Sequence, residues 1–161
     1  FARDLGRAVW FLAFRAVPIF LVGAVASGVR WPSLPLVTWP LFLTSIALAV
    51  ATSFAWRFLL NLTAFSLTDY RGVASLGLVT TTFLSGFLVP LAFFPPWARA
   101  IVDWLPFAAI VETPATVFLE LAQGADLARL LLVQAMWAVA MLAFARFGAA
   151  WATRRVVVQG G

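Results

Sequence analysis

The 161-residue chain contains no cysteine, no histidine and no lysine. Without cysteine and histidine it has no thiol nucleophile, no disulfide, no Cys/His metal cluster and no imidazole acid or base. All eleven basic residues are arginine, so the lysine that a P-loop uses to reach nucleotide phosphates is absent too. We therefore expect no catalytic centre, no cofactor and no metal. If ATP drives any process here, another subunit binds it.

Charge is also scarce, since 11% of the residues are charged, 64% are hydrophobic and the mean hydropathy is +1.02. Four apolar stretches match or slightly exceed the roughly 20 residues that a helix needs to cross a bilayer. They are residues 8–29, 41–60, 72–94 and 127–150. The sequence predicts an all-α integral membrane protein with four transmembrane helices in a single domain over residues 1–161.

The distribution of arginine predicts the orientation in the membrane. With Phe1 on the cytoplasmic side, eight arginines lie on or near the inner face and three lie outside. This asymmetry satisfies the positive-inside rule, which counts Lys and Arg. Both termini of the chain are therefore expected to be cytoplasmic. The net charge of +5 is explained by this topology, and we expect no nucleic-acid partner.

Three of the inner arginines fall within predicted spans, where charge is uncommon. Arg15, Arg57 and Arg146 belong to three different spans, yet the topology places all of them in the cytoplasmic third. Their guanidinium groups either snorkel to the lipid headgroups or line a basic inner vestibule that receives an anionic substrate or headgroup. Both interpretations stay open.

Residues 95–126 are apolar but interrupted by four prolines, so no piece of this stretch can span the bilayer. Its pattern predicts two short helices, at about Trp97–Trp104 in the outer interface and Pro114–Ala122. Thr113 is expected to cap the second helix and Gly124 to end it. Together they predict a re-entrant hairpin on the outer side, which requires protein around its irregular backbone.

Glu112 lies at the break between the two short helices. An acidic residue at such a position is a candidate functional group, although a surface carboxylate at the edge of a loop fits equally well. With Pro106 and Pro114 it forms a candidate outer gate.

Several segments together resemble permease subunits of bacterial type 2 ATP-binding cassette (ABC) transporters, in the branch described as an uncharacterised ABC-type transport system permease. The similarity is carried by residues 84–95 (LSGFLVPLAFFP), 105–107 (LPF), Thr113-Pro114 with Phe118-Leu119, and the ending 155–161 (RVVVQGG). It also includes residues 2–7, so it runs over nearly the whole chain.

The resemblance implies six spanning helices in a complete permease, of which this chain supplies the last four. We expect the first two to be missing, in agreement with Phe1, which is not an initiator methionine. It also implies a bacterial cytoplasmic (inner) membrane location and an assembly of two cytosolic ATPases with two permeases. The second permease is either an identical copy or a relative. Membrane lipids are expected to surround the complex.

In this family a cytoplasmic segment between the second and third helices contacts the ATPase. By position this segment ends at Arg3, Asp4 and Arg7, and a second contact is expected around Asp69 and Arg71. The charges at the start of the chain are explained equally by ordinary topogenic function.

The resulting hypothesis is an exporter permease that moves an amphipathic or lipid-like substrate by alternating access. Drugs, toxins, lipid-linked glycans and lipids all fit this description. One alternative is a non-transporting anchoring or assembly subunit of a membrane complex. Another is an intramembrane enzyme that acts on lipid, but its paired acidic or His/Ser groups are lacking, because the acidic residues are scattered over both surfaces.

Overall fold

The computed structural model describes Trp10, Phe14, residues 38–63 and residues 71–153. Residue contacts divide the chain into two compact units, Phe1–Ser33 and Leu34–Gly161. Within the first unit the rings of Trp10 and Phe14 stack with centroids 4.0 Å apart. The predicted first span, residues 8–29, lies otherwise outside the described residues, and the single transmembrane domain stays a prediction.

The described part of the second unit is helical and contains no strand, which confirms the all-α prediction for these residues. Its elements are α1 (Thr38–Leu62), α2 (Arg71–Leu84), a 3-10 turn (Leu91–Phe93), α3 (Pro96–Val102), α4 (Glu112–Phe118) and α5 (Gly124–Thr153). The region between α2 and α5, residues 85–123, is called the cap below.

Two of these helices, α1 and α5, are long and apolar enough to cross a membrane. The most apolar 18-residue window has a mean hydropathy of 1.6 in α1, which has 25 residues, and of 1.9 in the 29 residues Gly124–Ala152. At 1.5 Å per residue they measure about 37 and 43 Å, against about 30 Å of hydrocarbon. Only 22% and 17% of their most apolar windows are buried. Most of their apolar surface therefore points outward.

The predicted third span, residues 72–94, is wrong as a continuous helix. Helix α2 ends at Leu84 after 14 residues, about 21 Å. Gly86 then takes the left-handed conformation, with φ of +83°, which commonly ends helices. Both sides of this break are apolar, so hydropathy hides it. Within the described residues two helices reach membrane-spanning length, and the prediction of four spans is not supported.

Helices α1 and α5 run in the same direction, and α2 runs opposite to both. Ala55 of α1 packs with Met141 and Ala145 of α5 in one buried cluster. Nearer the helix ends, Leu62 contacts α5 at Gly148, where an added Cβ would lie 2.7 Å from the leucine Cδ1. Glycine and alanine at these contacts let the backbones approach closely.

Helix α2 packs antiparallel to α1. Gly77 faces Leu60, and the Trp56 indole N–H donates to Thr81 Oγ1 at 2.8 Å. Residue numbers therefore rise along α2 as they fall along α1.

A buried polar contact joins both long helices to the cap. Gln134 is fully buried, and its Oε1 accepts the Ser45 hydroxyl at 2.9 Å. Its Nε2 group donates to the Ser45 carbonyl at 2.9 Å and to the Ala109 carbonyl at 2.8 Å. Both N–H bonds of the amide are thereby used. The contact holds α1, α5 and the loop before α4 together.

The cap contains the two predicted short helices, with different limits. Helix α3 begins at Pro96, a residue suited to a first turn, and ends at Val102. Helix α4 begins at Glu112 and ends at Phe118. Both are shorter than predicted, because the turns beside them are as apolar as the helices.

The predicted cap and stop of α4 are wrong. Val111 precedes the helix, and the Thr113 hydroxyl donates to the Ala108 carbonyl at 3.4 Å from within the first turn. The helix ends where Glu120 adopts a φ of 55°. The Leu121 N–H donates back to the Thr116 carbonyl at 3.1 Å, as in a Schellman ending. Gly124 instead begins α5.

We predict that Gln134→Leu lowers the free energy of unfolding by about 1–3 kcal/mol, because it leaves the Ala109 carbonyl and the Ser45 hydroxyl without this partner. Gln123→Leu is the matched control, since Gln123 is exposed and should change stability by less than about 0.5 kcal/mol. Unfolding of the purified protein in detergent measures both. Equal stability of the two variants would contradict a structural function for Gln134.

We also predict that Gly86→Ala destabilises the protein more than Gly124→Ala does. Both glycines have positive φ, which costs about 1–2 kcal/mol for alanine. Only at Gly86 would the new Cβ crowd neighbours, at 3.0 Å from Glu112 Oε2 and 3.3 Å from Leu91 Cγ. Melting temperatures of the two variants in the same detergent compare these costs, and a smaller loss at Gly86 would refute the crowding.

Candidate functional site

A cavity of about 310 Å³ lies between the cap and the first turns of α5. Its charged lining residues are Arg99, Asp103, Glu112, Asp126 and Arg129. Its apolar lining residues come from the loop before α4 and from α5. The cavity is thus amphipathic, and we take it as the candidate site.

Arg99 on α3 holds two carboxylates of the cavity. Its Nε lies 2.9 Å from Asp103 Oδ1 and 3.2 Å from Oδ2, in the i,i+4 relation that helices favour. Its Nη2 lies 3.5 Å from Glu112 Oε1. One guanidinium is therefore shared between two carboxylates, and this group carries a net charge of −1.

Glu112 is the least exposed carboxylate of the group, with 27% of its side-chain surface accessible. The close approach of Gly86 encloses it, since an added Cβ there would lie 3.0 Å from Oε2. Pro106 and Pro114 are buried in the same cap. The structure therefore brings the three predicted gate residues into one folded region, although gating itself stays a prediction.

The remaining charges of the cavity, Asp126 and Arg129, come from the start of α5 and are exposed. Within the described part of the chain neither forms an ion pair. Sequence analysis missed Arg129, because its position beside the cap depends on how the cap folds back. The i,i+4 spacing of Arg99 and Asp103, in contrast, can be recognised in the sequence as an ion pair along a helix.

The predicted inner residues lie away from this cavity. Arg57 and Arg146 are exposed on α1 and α5, near the level where Ala55 packs on Ala145. Neither lines the cavity, and Arg15 lies outside the described residues, so the inner vestibule stays a prediction.

The predicted ATPase contact is represented by one residue. Arg71 is exposed at the first position of α2, at the end of the helices opposite the cap. The other four residues of the prediction lie outside the described part of the chain: Arg3, Asp4, Arg7 and Asp69.

Comparison with known proteins adds no family assignment. No protein-family model, curated protein or solved structure matches the chain.

We predict that Arg99→Gln lowers stability by about 1 kcal/mol, because it leaves Glu112 half-buried without its cation. The size is limited by solvent, since the Arg99 side chain is 35% exposed. Arg129→Gln removes the same charge from an unpaired position and should be nearly neutral. Denaturant unfolding at low and high salt tests the pair, and the difference should shrink as salt screens the ion pairs.

Proposed function

We propose that this chain is a transmembrane permease subunit of an ABC exporter, which moves an amphipathic or lipid-like substrate by alternating access. The observation that carries the proposal is the cap. Three sequence segments that resemble the family, residues 84–95, 105–107 and 113–119, lie in this region or at its border with α2.

Packing within the cap joins these segments. Leu91 forms a buried cluster with Val102 and Ala108, against which Leu84 and Phe94 pack. Gly86 contributes the close approach to Glu112. Leu84, Leu91 and Phe94 belong to the first resembling segment, so this segment forms the base of the cap.

The other segments attach the cap to the long helices. The Phe107 ring meets the Trp56 ring of α1 edge-on, with centroids 5.2 Å apart. Phe118 packs on Phe42, at 5.1 Å. The residues that carry the resemblance are thus those that build and fasten the cap, which supports a shared architecture rather than a chance likeness in apolar composition.

Charge supports the orientation that a permease needs. The cap end of the described residues carries four carboxylates and two arginines, whereas the opposite end carries arginine alone: Arg57, Arg71 and Arg146. The positive-inside rule favours a cytoplasmic location for that opposite end, where ATPase subunits reside. The cap then faces outward.

A mechanical route follows from this arrangement. The chain lacks a nucleotide site, so ATP binding elsewhere must act on it through the cytoplasmic end. A ligand shifts a conformational equilibrium only through differential affinity for the two states. We infer that the ATPases bind the two conformational states with different affinity, at the end of the helices that carries Arg71. Helix α5 then transmits the movement to the cap through Gln134.

The test uses the full-length protein co-expressed with the nearest encoded ATPase and reconstituted in lipid nanodiscs. We expect a stable complex whose ATP hydrolysis depends on the permease and responds to particular compounds in a panel of drugs and lipids. A stable complex without any such response would favour the non-transporting anchoring subunit. Failure of any ATPase to co-purify would refute the ABC permease.

For the same complex we predict that Arg71→Glu reduces the amount of ATPase that co-purifies at least severalfold, because it reverses a charge at the proposed contact. Arg129→Glu is the matched control, with the same charge change at the cap end, and should leave co-purification unchanged. Quantitative gel densitometry of the affinity-purified complexes measures both. Equal losses would indicate a general effect of charge or folding.

A further inference from the structure

We propose that the cavity between the cap and α5 binds the headgroup of a zwitterionic phospholipid that carries a phosphate and a primary ammonium, as phosphatidylethanolamine does. The inference deepens the proposed function by naming a ligand class, and it rests on that function only for the membrane setting. It follows from the way the charges of the cavity are paired.

The cation of the ligand is expected at Glu112. This carboxylate shares Arg99 with Asp103, which holds the guanidinium Nε through both of its oxygens. The distance from Arg99 Nη2 to Glu112 Oε1 is 3.5 Å, longer than the distances from Arg99 to Asp103. Glu112 Oε2 accepts no hydrogen bond from the described residues. A half-buried carboxylate with an unused oxygen is a good acceptor for an ammonium N–H.

The anion of the ligand is expected at Arg129. Its guanidinium has no ion-pair partner among the described residues, and arginine binds phosphate oxygens through two parallel N–H bonds. Arg129 lies in the second turn of α5 and is exposed at the cavity. The cavity therefore offers a free cation and a free acceptor on opposite elements, α5 and α4.

The total charge of the lining argues against a ligand of a single sign. Two arginines and three carboxylates give −1, so a purely anionic headgroup meets net repulsion, Asp126 included. A purely cationic ligand leaves Arg129 without an anion. A zwitterion satisfies both sides.

The shape of the cavity favours a lipid over a soluble zwitterion. Its remaining lining includes Ala108, Ala109, Leu130 and Val133, which can cover the apolar start of a lipid. Trp104 also lines it and is 65% exposed, as expected for an aromatic side chain in the membrane interface. A volume of about 310 Å³ holds a headgroup, whereas the acyl chains remain along the outward apolar face of α5.

The chemistry also separates ethanolamine from choline. A quaternary ammonium is recognised by cages of aromatic rings, and this cavity has one tryptophan. Carboxylates instead accept hydrogen bonds from N–H donors, which a primary ammonium has and a trimethylammonium lacks. We therefore expect phosphatidylethanolamine to bind more tightly than phosphatidylcholine.

The experiment is a native mass spectrometry titration of the full-length protein in detergent, without any ATPase. The probes are phosphatidylethanolamine, phosphatidylcholine and phosphatidylglycerol with the same acyl chains, and water-soluble phosphoethanolamine. We expect phosphatidylethanolamine to bind about tenfold more tightly than each other probe. Arg129→Gln should weaken its binding about tenfold, whereas Glu112→Gln should remove the preference for it over phosphatidylcholine.

Gln123→Ala is the control, because Gln123 is exposed next to the start of α5 and does not line the cavity. It should bind phosphatidylethanolamine as the unaltered protein does. Equal affinity for all three lipids, or unchanged binding by Arg129→Gln, would overturn the proposal. Tight binding of soluble phosphoethanolamine would contradict the assignment of a lipid ligand. The site would then be assigned to a free phosphate ester. The absence of an ATPase partner affects none of these outcomes.

Discussion

The described structure depends on the hydrogen bonds that the Gln134 side chain forms. Elsewhere α1 and α5 meet through apolar side chains such as Ala55, Met141 and Ala145, and apolar contacts are not directional. The amide adds direction, because it joins a hydroxyl and a carbonyl of α1 to a carbonyl of the cap loop. It therefore fixes the register of the two helices and the position of the cap together.

Backbone hydrogen bonds support the irregular turns of the cap, such as those from Phe94 N–H to the Leu91 carbonyl and from Ile110 N–H to the Phe107 carbonyl. Two seven-residue helices are too short to be stable alone, and they depend on the cluster of Leu91, Val102 and Ala108. The left-handed residues Gly86 and Glu120 end α2 and α4 and turn the chain back on itself. The contacts of Phe107 with Trp56 and of Phe118 with Phe42 then fasten the cap to α1.

The sequence predicted the two long helices well, because residues 41–60 and 127–150 are long apolar runs without a proline. It failed at α2, where the helix ends inside an apolar run and the signals of the break were Gly86 and Pro90. It failed again at Gly124, because a glycine with positive φ can precede a helix as well as follow one. Glu112 was found from its position at a break, whereas Arg129 depends on tertiary folding that one chain's pattern does not encode.

The position of the cavity would make a bound ligand sensitive to movement of α5 relative to the cap. It is lined by the cap on one side and by α5 on the other, so a ligand within it contacts two elements joined through Gln134. Any displacement of α5 relative to the cap changes the distance between Arg129 and Glu112. A headgroup with fixed spacing between phosphate and ammonium then binds one arrangement better than another, and this difference in affinity is what couples a ligand to a conformational equilibrium.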